Sequence, residues 1–123
     1  MKPMQMRPGD VVRQGDIALV RLPVSPTDKG KEIPREHGAV VLAYGESSGH
    51  RHQLAARGCK LFQRGSARML EISARGGALL EVTSDRGAPI TPARHSPVKL
   101  APGSYEAIRQ REYHEEDVVN AQD

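Results

Sequence analysis

Arg68-Met69-Leu70-Glu71-Ile72-Ser73-Ala74-Arg75-Gly76-Gly77-Ala78-Leu79-Leu80-Glu81-Val82-Thr83 decides the fold class. Leu70, Ile72 and Ala74 recur at every second position, which places them on one face of an extended chain. Gly76-Gly77 follows, a pair suited to the positive-φ positions of a two-residue hairpin turn. Residues 78–83 then read as the return strand.

The same grammar extends in both directions. Upstream, Ile17-Ala18-Leu19-Val20-Arg21-Leu22 is a short apolar run suited to a buried strand, ended by Pro23 and Pro26. Residues 25–37 are polar around Asp28-Lys29-Gly30-Lys31 and read as a long surface loop or hairpin tip. Ala39-Val40-Val41-Leu42-Ala43 is a further strand, residues 50–55 another, and Lys60-Leu61-Phe62 a short piece before the turn Arg64-Gly65-Ser66. Downstream, Gly87, Pro89, Pro92 and Pro97 exclude a helix over residues 84–97. Val98-Lys99-Leu100 is short, Ala101-Pro102-Gly103 is a turn, and residues 104–113 form a last long strand. The expectation is an all-β fold: a small single-domain β-barrel or β-sandwich of about seven to eight short strands. Residues 1–10 read as a loose N-terminal arm, 11–114 as the β domain and 115–123 as an acidic C-terminal tail.

At 123 residues one domain is expected. Only 3% of residues are aromatic and none is Trp, so the core must be small and aliphatic. The net charge of +3 does not by itself mark a nucleic-acid protein. Its distribution is uneven, however. Arg51, Arg57, Lys60, Arg64 and Arg68 fall between Glu46 and Glu71 with no carboxylate among them, whereas Glu112, Glu115, Glu116 and Asp117 crowd the tail. Basic middle and acidic tail suit each other within one chain or between copies in a homo-oligomer. Cys59 is the single cysteine, which excludes an intrachain disulfide and a Cys-based zinc site. With no signal-like start and no apolar run of membrane-spanning length, a soluble cytoplasmic protein with no membrane partner is expected.

The chemistry-bearing stretch is Gly45-Glu46-Ser47-Ser48-Gly49-His50-Arg51-His52. Two His at i and i+2 of a strand leave the backbone on one side, a chelating arrangement for zinc or another divalent transition metal. His95, in a Pro-rich loop, is the candidate third ligand. Glu46 is a candidate oxygen ligand or general base on a metal-bound water. The alternative is that His50 and His52 brace the turn by hydrogen bonding. His37 and His114 read as surface residues. In the last strand, Arg111 and Tyr113 share a face suited to stacking on a base or a partner ring, and Glu112 shares the other with Gln110, from where it would act as a second acceptor behind the histidines.

These blocks resemble a family of small, largely uncharacterised bacterial and phage β proteins. That family has Q-G-D at a strand start, then G-E-x-T-G-H-x-H, H-E-E-H, P-P-G-x-Y and Q-R-E-Y. The matches here are Gln14-Gly15-Asp16, Gly45-Glu46 with Gly49-His50-Arg51-His52, Pro102-Gly103-Ser104-Tyr105 and Gln110-Arg111-Glu112-Tyr113. Ser48 stands for the Thr, and H-E-E-H is reduced to Pro92-Ala93-Arg94-His95, with only the last His kept. What the resemblance implies is the fold and the clustering of the blocks, not a chemistry.

Three functional classes follow. The first is a small β-fold binding module with a His-centred metal site formed by His50, His52, His95 and Glu46. The second is an accessory module binding RNA, other nucleic acid or an acidic protein through Arg51, Arg57, Lys60, Arg64 and Arg68, with Arg111 and Tyr113 assisting. The near absence of aromatic residues in that stretch weighs against base stacking. The third is an enzyme. Cupin-like metal chemistry shares the H-x-H on a β scaffold but lacks its following Glu, and Cys59 or Ser48 as nucleophile has no His and acid beside it in sequence.

Overall fold

The computed structural model describes residues 2–44, 50–84 and 96–109. Among them are ten strands and no helix: β1 (Val11–Gln14), β2 (Ile17–Arg21), β3 (Lys31–Ile33), β4 (Val40–Tyr44), β5 (His50–Leu54), β6 (Cys59–Arg64), β7 (Ala67–Ile72), β8 (Ala78–Ser84), β9 (Val98–Leu100) and β10 (Gly103–Arg109). They form a six-stranded sheet in the order β1-β2-β10-β7-β6-β3 and a four-stranded sheet in the order β4-β5-β8-β9. All strand pairs within the sheets are antiparallel. The all-β expectation holds, with two more short strands than the upper bound of that reading. No helix among the described residues is long and apolar enough to cross a membrane.

Period-two patterning explains the single core. Ile17 and Leu19 of β2, Leu61 of β6, Leu70 and Ile72 of β7 and Tyr105 and Ala107 of β10 face inward from the larger sheet. Val40 and Leu42 of β4, Leu54 of β5 and Leu80 of β8 face them from the smaller one. Tyr105 is the one aromatic ring in that cluster, and its hydroxyl donates to Ala101 O at 2.6 Å. A buried phenol needs such an acceptor.

Three expectations are corrected. Gly76-Gly77 does not close a hairpin: β7 pairs with β6 and β10, whereas β8 pairs with β5 and β9 in the other sheet. The turn is a crossing between layers. Gly77, at φ +83°, lies against Leu100 O where no side chain fits. Second, residues 25–37 are not simply a surface loop. Ser25 and Lys29 hydrogen-bond to Glu71 on the outer face of the six-stranded sheet, Lys29 sits 5.3 Å over the Phe62 ring, and β3 then pairs with β6. Third, residues 2–10 are tied down rather than loose. Met4 N donates to Lys99 O at 2.7 Å, Gly9 N donates to Arg21 O at 2.8 Å, and Met6 packs on the core. The Gly15-Asp16 turn does lead into the strand at Ile17, and a further strand, β1, precedes it, so Gln14-Gly15-Asp16 joins two paired strands. Gly15 takes φ +59° at the first turn position, as a two-residue hairpin with leading glycine requires.

Candidate functional site

One rim of the sandwich gathers the polar residues. Gln14, at the end of β1, faces inward and is 3% exposed. Its Nε2 donates to Leu80 O and to Ser96 O, each at 3.0 Å. Carbonyls only accept, so these two bonds fix the amide orientation and turn Oε1 toward His52 Nδ1 at 2.9 Å. An amide oxygen only accepts as well, so Nδ1 carries the proton. In the neutral ring Nε2 is therefore the unprotonated nitrogen. That nitrogen lies 3.8 Å from Asp16 Oδ1. Asp16 Oδ2 in turn receives Arg109 Nε at 3.4 Å, and Arg109 also donates to Tyr44 O. Arg68 Nη1 donates to Leu42 O at 2.7 Å.

Register places these groups together. His52 lies between Ala43 and Val82, and Leu54 on the same face is in the core, so His52 projects inward. Arg109 is paired with Ile17 and Arg68 with Ala107, both facing inward across the same end. The β1–β2 turn brings Asp16 beneath them. The Q-G-D block and the H-x-H block, far apart in sequence, thus form one site through Gln14, Asp16 and His52. The resemblance implied such clustering. The sequence alone does not mark Gln14 and Asp16 as site residues, because a glycine turn accounts for that tripeptide by itself. The signal that points to them is a buried amide beside a strand-borne His, and it becomes visible only with the β1–β2–β10 register.

His50 is half-buried and shares the His52 face by strand alternation, consistent with the expected geometry. Glu46 and His95, the other proposed metal ligands, lie outside the described residues, as do Glu112, Arg111 and Tyr113. Among the described residues, no three His, Cys, Asp or Glu side chains are grouped as metal ligands.

The basic residues of the middle segment do not share one surface. Arg51 is 4% exposed and on the opposite face of β5 from His52, with Nε on Thr83 Oγ1 at 3.3 Å. Arg57, Lys60 and Arg64 are exposed. Arg64 faces Asp28 at 3.5 Å, and Lys60 is opposite Glu71 in the β6–β7 register. Arg68 belongs to the inner rim.

Cys59 is in the core, and burial pushes its thiol up to about 11, with Arg35 opposing the shift only in part. A thiol held neutral in apolar surroundings is a packing group rather than a nucleophile. His37 occupies the turn between Glu36 and Ala39 at φ 51°, a backbone role. Tyr44 is held above its ordinary range, first by its hydrogen bond to Glu36, at 2.5 Å, and then by desolvation.

A family model described as a domain of unknown function (DUF8820) matches residues 13–110. The chain belongs to this family. Its span runs from the residue before Gln14 to the residue after Arg109, so it takes in every described group of the rim site. No curated protein and no solved structure matches the chain.

Proposed function

We propose that the protein is a small β binding module working through this rim, and that a divalent transition metal of the zinc class is its ligand there. The observation carrying the reading is the tautomer of His52. Gln14 accepts from Nδ1–H, so in the neutral ring Nε2 is the unprotonated nitrogen, on the side of the Asp16 carboxylate. Metal-ligating histidines are commonly oriented in this way by an acceptor on the far ring nitrogen. Tetrahedral zinc bonds of about 2.0–2.2 Å hold two ligand atoms about 3.3 Å apart. The observed 3.8 Å between Nε2 and Asp16 Oδ1 closes to that value by a small movement of the partly exposed Asp16 side chain. His50, on the same strand face, is not grouped with them and adds a donor only by moving toward the pair; Glu46 and His95 are the further ligands expected from the sequence.

Zinc titration of chelator-treated protein tests the proposal. One equivalent is expected to bind, with affinity lowered about 10–100-fold in Asp16→Asn and abolished in the His50→Ala/His52→Ala double variant. Circular dichroism establishes that the variants are folded. Zinc binding of unchanged strength in the folded double variant would overturn the metal reading.

A further inference from the structure

The two sheets have four outermost strands among the described residues: β1 and β3 in the larger, β4 and β9 in the smaller. β4 is bonded across the rim by Arg68 and Arg109. Along β9, Met4 forms a parallel bridge to Leu100 and donates to Lys99 O. β3 is three residues long and charged, and pairing it with itself about its centre would set Glu32 against Glu32. β1 carries no such guard among the described residues.

Which groups of β1 point outward follows from its pairing with β2. Arg21 N donates to Asp10 O at 2.9 Å, and bonded and unbonded pairs alternate along an antiparallel ladder. The next bonded pairs are therefore Val12 with Leu19 and Gln14 with Ile17, the latter closing the two-residue turn. Val11 and Arg13 turn their N–H and C=O groups away from β2, toward the open edge. Their side chains are exposed, Val11 at 49%, whereas Val12 packs against the core.

We propose that β1 is a homodimer edge, pairing antiparallel with β1 of a second copy about a two-fold axis at Val12. In that register Val11 of each copy lies opposite Arg13 of the other. The residues whose backbone groups point outward thus meet as bonded pairs. An axis at Arg13 would set two guanidiniums against each other. An axis at Val11 would carry the pairing into Gly9, whose φ of +90° lies outside the extended range. At Val12 no like charges face each other, and the methylenes of Arg13 cover the exposed Val11. Such an interface is isologous, so it closes at two copies and joins their larger sheets into one. It uses none of Gln14, Asp16 and His52, and it stands or falls apart from the metal reading.

Sedimentation equilibrium of chelator-treated protein, from micromolar to millimolar concentration, tests the proposal; a monomer–dimer equilibrium is expected. Val11→Lys sets a second cation opposite Arg13 and is expected to weaken dimerisation about tenfold. Val11→Glu sets the opposite charge there and is expected to keep or strengthen it, whereas an unspecific apolar contact would be lost in both. Arg13→Pro removes an N–H that β2 does not use, and is expected to leave a monomer that circular dichroism shows to be folded. If Arg13→Pro does not fold, the two Val11 variants decide alone. The proposal is overturned by a parent protein that stays monomeric throughout or assembles beyond two copies. Equal effects of the two Val11 substitutions overturn it as well, as does a folded Arg13→Pro that dimerises like the parent.

Discussion

Gln14 shows how much a single buried amide can settle. Its two donors take carbonyls from β8 and from Ser96, and its acceptor fixes a ring on β5. Gln14→Met keeps the approximate volume but removes the amide from both carbonyls and from the imidazole. Each buried polar group left without a partner costs about 1–3 kcal/mol, so a loss of at least that size is expected in chemical denaturation. An unchanged denaturation midpoint would mean that Gln14 is not the brace described above. The same substitution is expected to weaken zinc binding about tenfold or more, because the ring loses its orienting acceptor. Nothing local in the sequence exposes this role, since the partners of Gln14 come from strands fixed only by the completed fold. The H-x-H spacing was legible because strand alternation is a local rule.

The block Pro102-Gly103-Ser104-Tyr105 becomes intelligible at the scale of strands β2 and β10. Arg21 lies 5.3 Å over the Tyr105 ring and donates to Pro102 O at 2.9 Å. Gly103, at φ +148°, leaves the space its guanidinium fills. A side chain there must displace Arg21 and also strain the backbone. Gly103→Ala is expected to cost about 1–3 kcal/mol, read as a lowered melting temperature. Gly76 provides the contrast: a Cβ there meets open space, with no positive φ. Gly76→Ala is expected to be neutral or to stabilise by about 0.4–1 kcal/mol, through reduced freedom of the unfolded chain. Equal losses at the two positions would defeat this account. From sequence alone the Gly76-Gly77 pair and Gly103 look like interchangeable turn glycines. What separates them is which neighbour approaches, and that neighbour lies on another strand.

At the scale of the whole molecule, the alternation in β7 and β8 was enough to identify an all-β chain, but not to assign those strands to different sheets. Two consecutive strands joined by glycines read as a hairpin unless longer-range pairing competes, and here β10 and β6 take both sides of β7. The segment after β2 lies on the surface, but its Lys29 and Ser25 reach Glu71, whose carboxyl is pushed up by burial and brought below its ordinary range by the combined effect of those two hydrogen bonds and the nearby Lys29 and Lys60 charges. A carboxylate with a lowered folded pKa contributes stability above its unfolded value, about 4.3, and that contribution disappears as pH falls through the folded value. Unfolding free energy is therefore expected to decline across that acidic window, and to decline less steeply in Glu71→Gln. Parallel pH profiles for the two proteins would remove Glu71 from the explanation. The arginine bonds at the rim have a further consequence. β4 is the outermost strand of its sheet, a position that in many β proteins recruits a strand from a neighbouring molecule and seeds aggregation. Its Leu42 and Tyr44 carbonyls are already engaged by guanidiniums from the opposite layer, so those two bonds also blunt that border against self-association.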